Sequence, residues 1–432
     1  MTPPPARTAS TTADLHRVVD AVWRMESARI VGALSRVTGD VGLAEELAQD
    51  ALVAALEQWQ DTGVPAKPGA WLMATAKHRA IDTFRRARNL QRKTEELGRD
   101  LVDQEGVEED WAAALDEVVE DDVLRLVFIA CHPILSREAR VALTLRLVGG
   151  LTTDEIARAF LVPEKTLAQR IVRAKRTLTA AHVPFEMPAG AEFTARIGSV
   201  LEVIYLVFNE GYSATAGEDL VRPALCQEAM RLGRILAGLV PGEGEVHGLV
   251  ALMEIQASRL AARTGPDGQA LTLAEQNRAA WDRVLVTRGL AALRRAEDSG
   301  AALGPYGVQA AIAACHARAR TVEETDWTRI AALYEALAEL APSPVVELNR
   351  AVAVSRAYGA AAGLELVEQL AEVPALRGYH LLPTVRGDLL EQLGRRDEAR
   401  TEFERAASMT RNEPERALLL ARAAACGREL GA

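Results

Sequence analysis

Residues Leu151–Leu178 read LTTDEIARAFLVPEKTLAQRIVRAKRTL, two helical patterns separated by a tight turn. Thr152 and Glu155 stand at the spacing at which a threonine hydroxyl caps a helix and a glutamate reaches back to the threonine amide. A helix is therefore expected to start there, just before Ile156, Ala157 and Phe160. Pro163 suits the first turn of the next helix, where its missing N–H costs nothing. In that second helix Leu167, Ile171, Ala174 and Leu178 recur on one side at 3.6-residue periodicity. Lys165, Gln169, Arg173 and Arg176 then face the other way, flanked by Arg170 and Lys175. A helix packed on its apolar stripe and offering Lys, Gln and Arg outward has the form that a helix-turn-helix places in a major groove. The alternative is a surface helix pair with a solvated charged face. Leu161 sits where such turns often hold glycine, so this turn is expected to depart from the common geometry.

Working outward toward the N-terminus, a second basic helical segment appears. After the Gly- and Pro-rich loop Asp61–Gly69 (DTGVPAKPG), the stretch beginning at Trp71 carries Lys77, His78, Arg79, Arg85, Arg86, Arg88, Arg92 and Lys93 against the single acid Asp82. That concentration favours phosphate contacts, which give affinity without sequence information. Upstream, Leu15, Val18, Val19, Val22 and Ile30 form an ordinary core stripe. In the following helix Leu43, Leu47, Leu52 and Leu56 supply apolar contacts, while Glu45, Glu46, Gln49 and Asp50 stay polar. Between the two basic segments Glu95–Asp122 is strongly acidic, with only Arg99 opposing its carboxylates, as expected of a solvated linker.

These blocks in this order carry a family resemblance. Asp14–Arg92 resembles region two of the extracytoplasmic-function sigma factors of bacterial RNA polymerase, through Asp40–Trp59 (DVGLAEELAQDALVAALEQW) and Trp71–Asn89 (WLMATAKHRAIDTFRRARN). Asp121–Leu178 resembles their region four. The resemblance implies that Glu45, Glu46, Gln49 and Asp50 contact the clamp of core RNA polymerase. It implies that Trp71, Lys77, Arg79, Asp82, Arg85, Arg86 and Arg88 serve the −10 element, with the preceding loop capturing a flipped base. It also implies that Lys165, Thr166, Gln169, Arg170, Arg173 and Arg176 serve the −35 element. Extracting a base from the stack costs a few kcal/mol, so promoter melting needs stacking surfaces; Trp71 is the nearby aromatic, and a buried Trp that holds its helix in place is the other reading. The acidic linker is expected to thread toward the polymerase channels or to act as a mobile tether.

Composition sets outer limits. The chain has 432 residues, 49% of them hydrophobic, enough for more than one buried core. Its formal net charge of −10 argues against a uniformly basic nucleic-acid binder, but the cations cluster in two segments, and an acidic remainder discourages unspecific DNA contact. Met1–Ala13 (MTPPPARTASTTA) has no apolar core and is read as a disordered tail, not a signal peptide. No run approaches the roughly 20 apolar residues that cross a bilayer, so a cytoplasmic protein without membrane contact is expected. Cys131, Cys226, Cys315 and Cys426 lack metal-ligand spacing and are read as reduced, buried thiols. The adjacent pairs Cys131-His132 and Cys315-His316 point about 100° apart on a helix and rarely chelate one ion; no metal or cofactor is expected.

Beyond Phe185 the pattern is helix after helix. Leu201, Ile204, Tyr205 and Phe208 make one stripe, Leu225, Leu232, Leu236 and Leu239 another, and Leu249, Leu252, Met253 and Leu260 a third. Gly/Pro breaks at 211–217, 241–244, 265–268, 300–305, 342–344 and 378–383 make the helices short and their neighbours antiparallel. Near the end Gly387, Leu390, Ala399, Phe403 and Ala406 stand at tetratricopeptide intervals, and Ala351 and Gly363 are small packing positions of an earlier pair. Tyr205–Tyr212 (YLVFNEGY), Gly304–Ala317 (GPYGVQAAIAACHA), Thr325–Trp327 (TDW) and Ser343–Ala353 (SPVVELNRAVA) resemble the tetratricopeptide-like extension of one subgroup of these sigma factors. The resemblance implies a regulatory extension, with a protein or ligand as its partner. Asn209, Glu210, Tyr212, Asp326, Trp327 and Asn349 are candidates for lining a groove there, or else caps and packing groups.

The expected organisation is all-α: a tail (1–13), region two (14–94), an acidic linker (95–120), a region-four helix-turn-helix (121–182) and a tetratricopeptide-like regulatory array (183–432). Two rival classes are an enzyme in the C-terminal half and a repressor or activator working without polymerase. The first lacks a Gly-x-Ser-x-Gly elbow, a Walker loop or a His-Glu-x-x-His motif. The second has no use for a region-two block.

Overall fold

A computed structural model describes residues 12–95, 122–160, 162–213, 221–265, 269–410 and 412–428. The tail before Thr12, the acidic linker from residue 96 to 121 and Leu161 lie outside the described residues, as do the side chains of Arg88, Arg92 and Lys93. Among the described residues the chain is helical, with an isolated antiparallel bridge between Thr264 and Ala270. It divides into two compact units, 1–203 and 204–432. The division falls beyond the 182/183 boundary expected from sequence.

In the first unit α1 (Thr12–Thr38), α2 (Val41–Thr62) and α3 (Pro68–Glu95) form one bundle. Asp40 caps α2, its Oδ1 accepting from the amides of Gly42 (2.7 Å) and Leu43 (3.0 Å). The buried seam of α2 is mostly alanine: Ala44, Ala48, Ala51, Ala54 and Ala55 accompany Leu47 and Trp59. Leu43, Leu52 and Leu56 are only half-buried, because the small residues let α1 and α3 approach on that side. The α1 stripe is also narrower than its sequence pattern, since Val18 is 41% exposed while Val19 and Ile30 are fully buried.

Four shorter helices follow: α4 (Asp122–Ala130), α5 (Arg137–Leu147), α6 (Thr153–Ala159) and α7 (Glu164–Ala180). The capping box ahead of α6 is formed: the Glu155 amide donates to Thr152 Oγ1 (3.1 Å), and the Thr152 amide donates to Glu155 Oε2 (2.8 Å). Pro163 occupies the cap position just before α7. Leu167, Ile171, Ala174 and Leu178 are all buried, as their periodicity predicts. The start of α8 (Gly190–Tyr212) closes this unit by satisfying carbonyls at the end of α4. Arg196 Nη2 donates to Phe128 O (2.8 Å), Ser199 Oγ donates to Cys131 O (3.0 Å), and the Phe128 and Phe193 rings meet edge-on at 5.4 Å.

The second unit holds the rest of α8, then α9 (Pro223–Leu239), α10 (Gly244–Ala257), α11 (Arg283–Glu297), α12 (Pro305–Arg318), α13 (Trp327–Leu340), α14 (Pro344–Tyr358), α15 (Ala360–Leu370), α16 (Leu381–Gln392), α17 (Arg396–Met409) and α18 (Glu413–Arg428). Its central helix is α10, buried on all faces from Val246 to Ile255. Glycines mark the closest helix crossings. A Cβ on Gly289 would stand 3.1 Å from Ala251 O, and one on Gly248 would stand 2.7 Å from Gly307 N. The tetratricopeptide spacing has its physical counterpart between α16 and α17. Phe403 is fully buried and its ring fills the place of a side chain at Gly387, where a Cβ would lie 2.7 Å from Cε1. Gly363 does the same for α14 and α15, against Ala351 O (2.9 Å).

Candidate functional site

Helix α7 turns its buried stripe onto α5 and α6 and leaves a basic outer face. Lys165, Thr166, Gln169, Arg173 and Arg176 are exposed, and Arg170 is half-buried. Beside them a surface hollow of about 360 Å³ is lined by Gln169, Arg170, Arg173, Ile134 and Ser136. Donors on an exposed helix that is packed on its other side can meet base edges and phosphates without a further cost of ordering the backbone, leaving only the rotamer freedom of the side chains to be lost.

On α3, Asp82, Arg85 and Arg86 are exposed, and Lys77 and Arg79 are half-buried. Trp71, also half-buried, meets the buried Trp59 edge-on with ring centroids 5.3 Å apart. It is thus braced by α2, with part of its surface still accessible. Arg79 Nη1 lies 3.8 Å from Asp50 Oδ2, linking the basic helix to the acidic face of α2.

That acidic face is not uniform. Glu46 and Asp50 are exposed and Gln49 is half-buried, but Glu45 is buried, at 4% exposure. Its Oε1 accepts from Arg146 Nε at 2.6 Å, and its Oε2 pairs with Lys175 Nζ. Glu45 therefore departs from the sequence expectation: in this arrangement α5 and α7 cover it, and it is unavailable to a partner. Other contacts hold the same two parts together. Asp122 accepts from Arg36 Nε (2.9 Å), Arg24 pairs with Glu155, and Thr179 Oγ1 donates to Asp40 Oδ2 (3.1 Å). Gly150, at φ +69°, lies against α1, where a Cβ would stand 3.3 Å from Arg24 Cα.

In the second unit the six groove candidates separate. Asn209 and Asn349 line a cavity of about 490 Å³. Tyr212 stands behind it, accepting from Arg259 Nη2 through its hydroxyl and lying under the Arg263 guanidinium at 4.0 Å. Trp327 meets the His316 ring edge-on at 5.1 Å. The other two are structural: Glu210 pairs with Arg222 (2.5 Å), and Asp326 caps α13 by accepting from the Arg329 amide (2.9 Å). The four cysteines are free and buried, and burial pushes the thiols of Cys131 and Cys226 up to about 11 and about 12. Among the described residues no cluster of His, Cys, Asp and Glu could hold a metal ion, and no helix is long and apolar enough to cross a membrane.

Three family models match this chain: Sigma-70 region 2 over residues 22–90, Sigma-70, region 4 over 125–178, and Family of unknown function (DUF6596) over 196–297. Over 146 residues it is 30% identical to the ECF RNA polymerase sigma factor SigL of Mycobacterium tuberculosis, covering 33% of this chain and 76% of SigL. The chain belongs to the ECF RNA polymerase sigma factors. The ECF sigma factor SigK of Mycobacterium ulcerans is 28% identical over 189 residues, 41% of this chain and 96% of SigK. An uncharacterized protein of Rhizobium meliloti is 46% identical over 391 residues, 90% of this chain and 91% of that protein, so it shares the C-terminal unit as well.

As an ECF sigma factor the chain works with core RNA polymerase and promoter DNA and directs the enzyme to promoters; the family consists of transcription regulators, not enzymes. The DUF6596 match opens inside α8 and ends with α11, leaving α12 to α18 beyond it. Two parts of the sigma factor's chemistry escaped sequence reasoning. The partners of Glu45 come from Arg146 and Lys175, too distant in sequence for any periodic signal. Arg259 and His316, which line the cavity with Asn209, stand on different elements with no shared motif.

Proposed function

We propose that α7 reads the −35 element with Lys165, Gln169, Arg170, Arg173 and Arg176, and that α3 engages the −10 element through Trp71, Arg79, Arg85 and Arg86. The observation that carries this is the exposure of the α7 cations and amide over a fully buried Leu167/Ile171/Ala174/Leu178 stripe. Glu46, Gln49 and Asp50 form the face offered to the polymerase clamp, and Glu45 joins it once α7 withdraws. The C-terminal helical array acts on these steps in cis, through a protein or small-molecule partner, and the factor works in the cytoplasm beside polymerase. Support for a regulatory array comes from its size and its continuity in the Rhizobium relative.

The test is promoter-directed transcription by the full chain with core RNA polymerase, on templates with intact or scrambled −35 and −10 elements. Wild type should initiate only where both elements are intact, and a Gln169→Ala/Arg173→Ala variant should lose its dependence on the −35 sequence. Core binding without promoter selectivity would remove the assigned reading roles. A chain ending at Val203, which retains the whole first unit, tests control in cis: unchanged promoter output would exclude it.

A further inference from the structure

The second unit holds a polar cavity lined by none of the residues assigned to promoter reading. The cavity of about 490 Å³ lies within the roughly 300–1,000 Å³ typical of small-molecule sites. Its lining contains one formal charge, Arg259, and no carboxylate. Around the cation stand hydrogen-bonding groups, the amides of Asn209, Gln256 and Gln309 and the phenols of Tyr205 and Tyr334; Ile255, Ile312 and Leu337 supply an apolar wall.

Among the described residues the cations here have no carboxylate partner. Arg259, Arg263 and Arg278 gather about Tyr212 and Trp281, with guanidinium-to-ring distances of 4.0–5.7 Å. None forms an ion pair with a carboxylate among the described residues; their bonds go to neutral oxygens. Arg259 reaches the Tyr212 hydroxyl and Arg263 the Tyr212 carbonyl. Arg278 reaches the carbonyls of His316 (3.0 Å) and Ala319 (3.2 Å) and Thr325 Oγ1 (2.9 Å). Glu323 and Glu324 act on Arg278, and Glu415 on Arg263, only across longer distances. Two buried polar atoms of the lining residues have no hydrogen-bond partner among the described residues, Arg259 Nε and His316 Nδ1. An unpaired buried donor costs about 1–3 kcal/mol, and more on a charged group, so a cationic cluster of this kind calls for an anion. Burial, then Arg259 and Arg278, push the His316 imidazole down to about 4, so near neutrality it is an uncharged donor and acceptor. The chamber therefore complements one negative charge rather than two.

We propose that this cavity binds a small organic monocarboxylate, its head on Arg259 and its aromatic or branched body against Ile255, Ile312 and Leu337. The guanidinium fork matches a carboxylate's two oxygens, the phenols and amides hold the remaining polar atoms, and the absence of a lining acid excludes cations. This site is independent of the assigned promoter-reading residues, and its readout is binding.

The experiment uses the full chain, with thermal shift and tryptophan fluorescence reporting through Trp281 and Trp327. Benzoate and isovalerate are compared with benzamide, isovaleramide and inorganic phosphate at millimolar concentration. Saturable stabilisation by a carboxylate, at least tenfold weaker for its amide and for Arg259→Gln, is the expected result. Ala313→Phe, which fills the cavity while leaving Arg259 in place, should abolish it and decides the matter if Arg259→Gln does not fold. Equal response to acid and amide, a preference for phosphate, carboxylate binding that survives Ala313→Phe, or no saturable response to either carboxylate would overturn the assignment.

Discussion

Replacing Glu45 by Gln removes one negative charge from between two cations. Glu45 is 4% exposed, and the side chains of Arg146 and Lys175 are 16% and 19% exposed, so water screens the pair poorly. Breaking a buried ion pair by neutralising one partner costs about 3–5 kcal/mol. Here the loss is smaller, because Arg146 keeps its bond to Leu151 O (3.1 Å) and both cations retain some solvent, leaving about 2–4 kcal/mol. The cost falls on the contact between α2 and the α5/α7 pair, not on the bundle of α1–α3. Hydrogen exchange followed peptide by peptide on the full chain therefore suits it better than a global melt. At about 1.4 kcal/mol per factor of ten, exchange in α7 and the N-terminal turns of α2 should accelerate by roughly 1.5 to 3 orders of magnitude. Exchange in α10 should stay at the wild-type rate. Glu46→Gln, one residue away but exposed, should change protection by no more than about 0.5 kcal/mol. Identical protection of α7 in Glu45→Gln and wild type would refute the claim that this pair holds the two parts of the first unit together.

Three further outcomes follow from the same geometry. Gly387→Ala places a Cβ 2.7 Å from the buried Phe403 ring; the overlap outweighs the better helix propensity of alanine, with a net loss of about 1–2 kcal/mol in urea unfolding, partly recovered by Phe403→Leu in the same chain. His316 holds its proton less readily folded than unfolded, so the unfolded chain binds more protons between pH 6.5 and about 4. Its contribution, at most about 3 kcal/mol, is fully present above that window and is lost as the pH falls through it; melts of His316→Gln should show a flatter acid limb than wild type. Arg173→Ala should weaken −35 binding by about 1–3 kcal/mol with loss of sequence preference if Arg173 contacts a base. If it contacts phosphate, all sequences weaken and the salt slope of binding falls by about one. Unchanged binding at low salt removes Arg173 from the interface.

Local pattern carried much of this protein. The Thr152–Glu155 capping box, the Leu167/Ile171/Ala174/Leu178 stripe and the Gly387–Phe403 contact are set by residues within a few turns of one another, and helical periodicity with cap chemistry states them directly. The all-α class, the basic face of α7 and the small positions Ala351 and Gly363 were legible for the same reason, whereas Gly248 and Gly289 at the α10 crossings were not. Where a motif mixed roles, sequence alone could not separate them: Asn209, Glu210 and Tyr212 are near neighbours in one string, yet one lines a cavity, one pairs with Arg222 and one backs an arginine.

What only tertiary structure decided depends on groups far apart in the chain. Glu45 has the same local sequence credentials as Glu46, but it lies on the side of α2 that Arg146 and Lys175 cover, and a carboxylate's role follows from which charge meets it and how much water remains. The cavity likewise exists because α8, α10, α12, α13 and α14 leave space between their side chains, and it is this packing that buries Arg259 Nε and His316 Nδ1 without a partner among the described residues. Periodicity determines which face of a helix is buried; the identity of the group across the gap is settled only when distant helices pack.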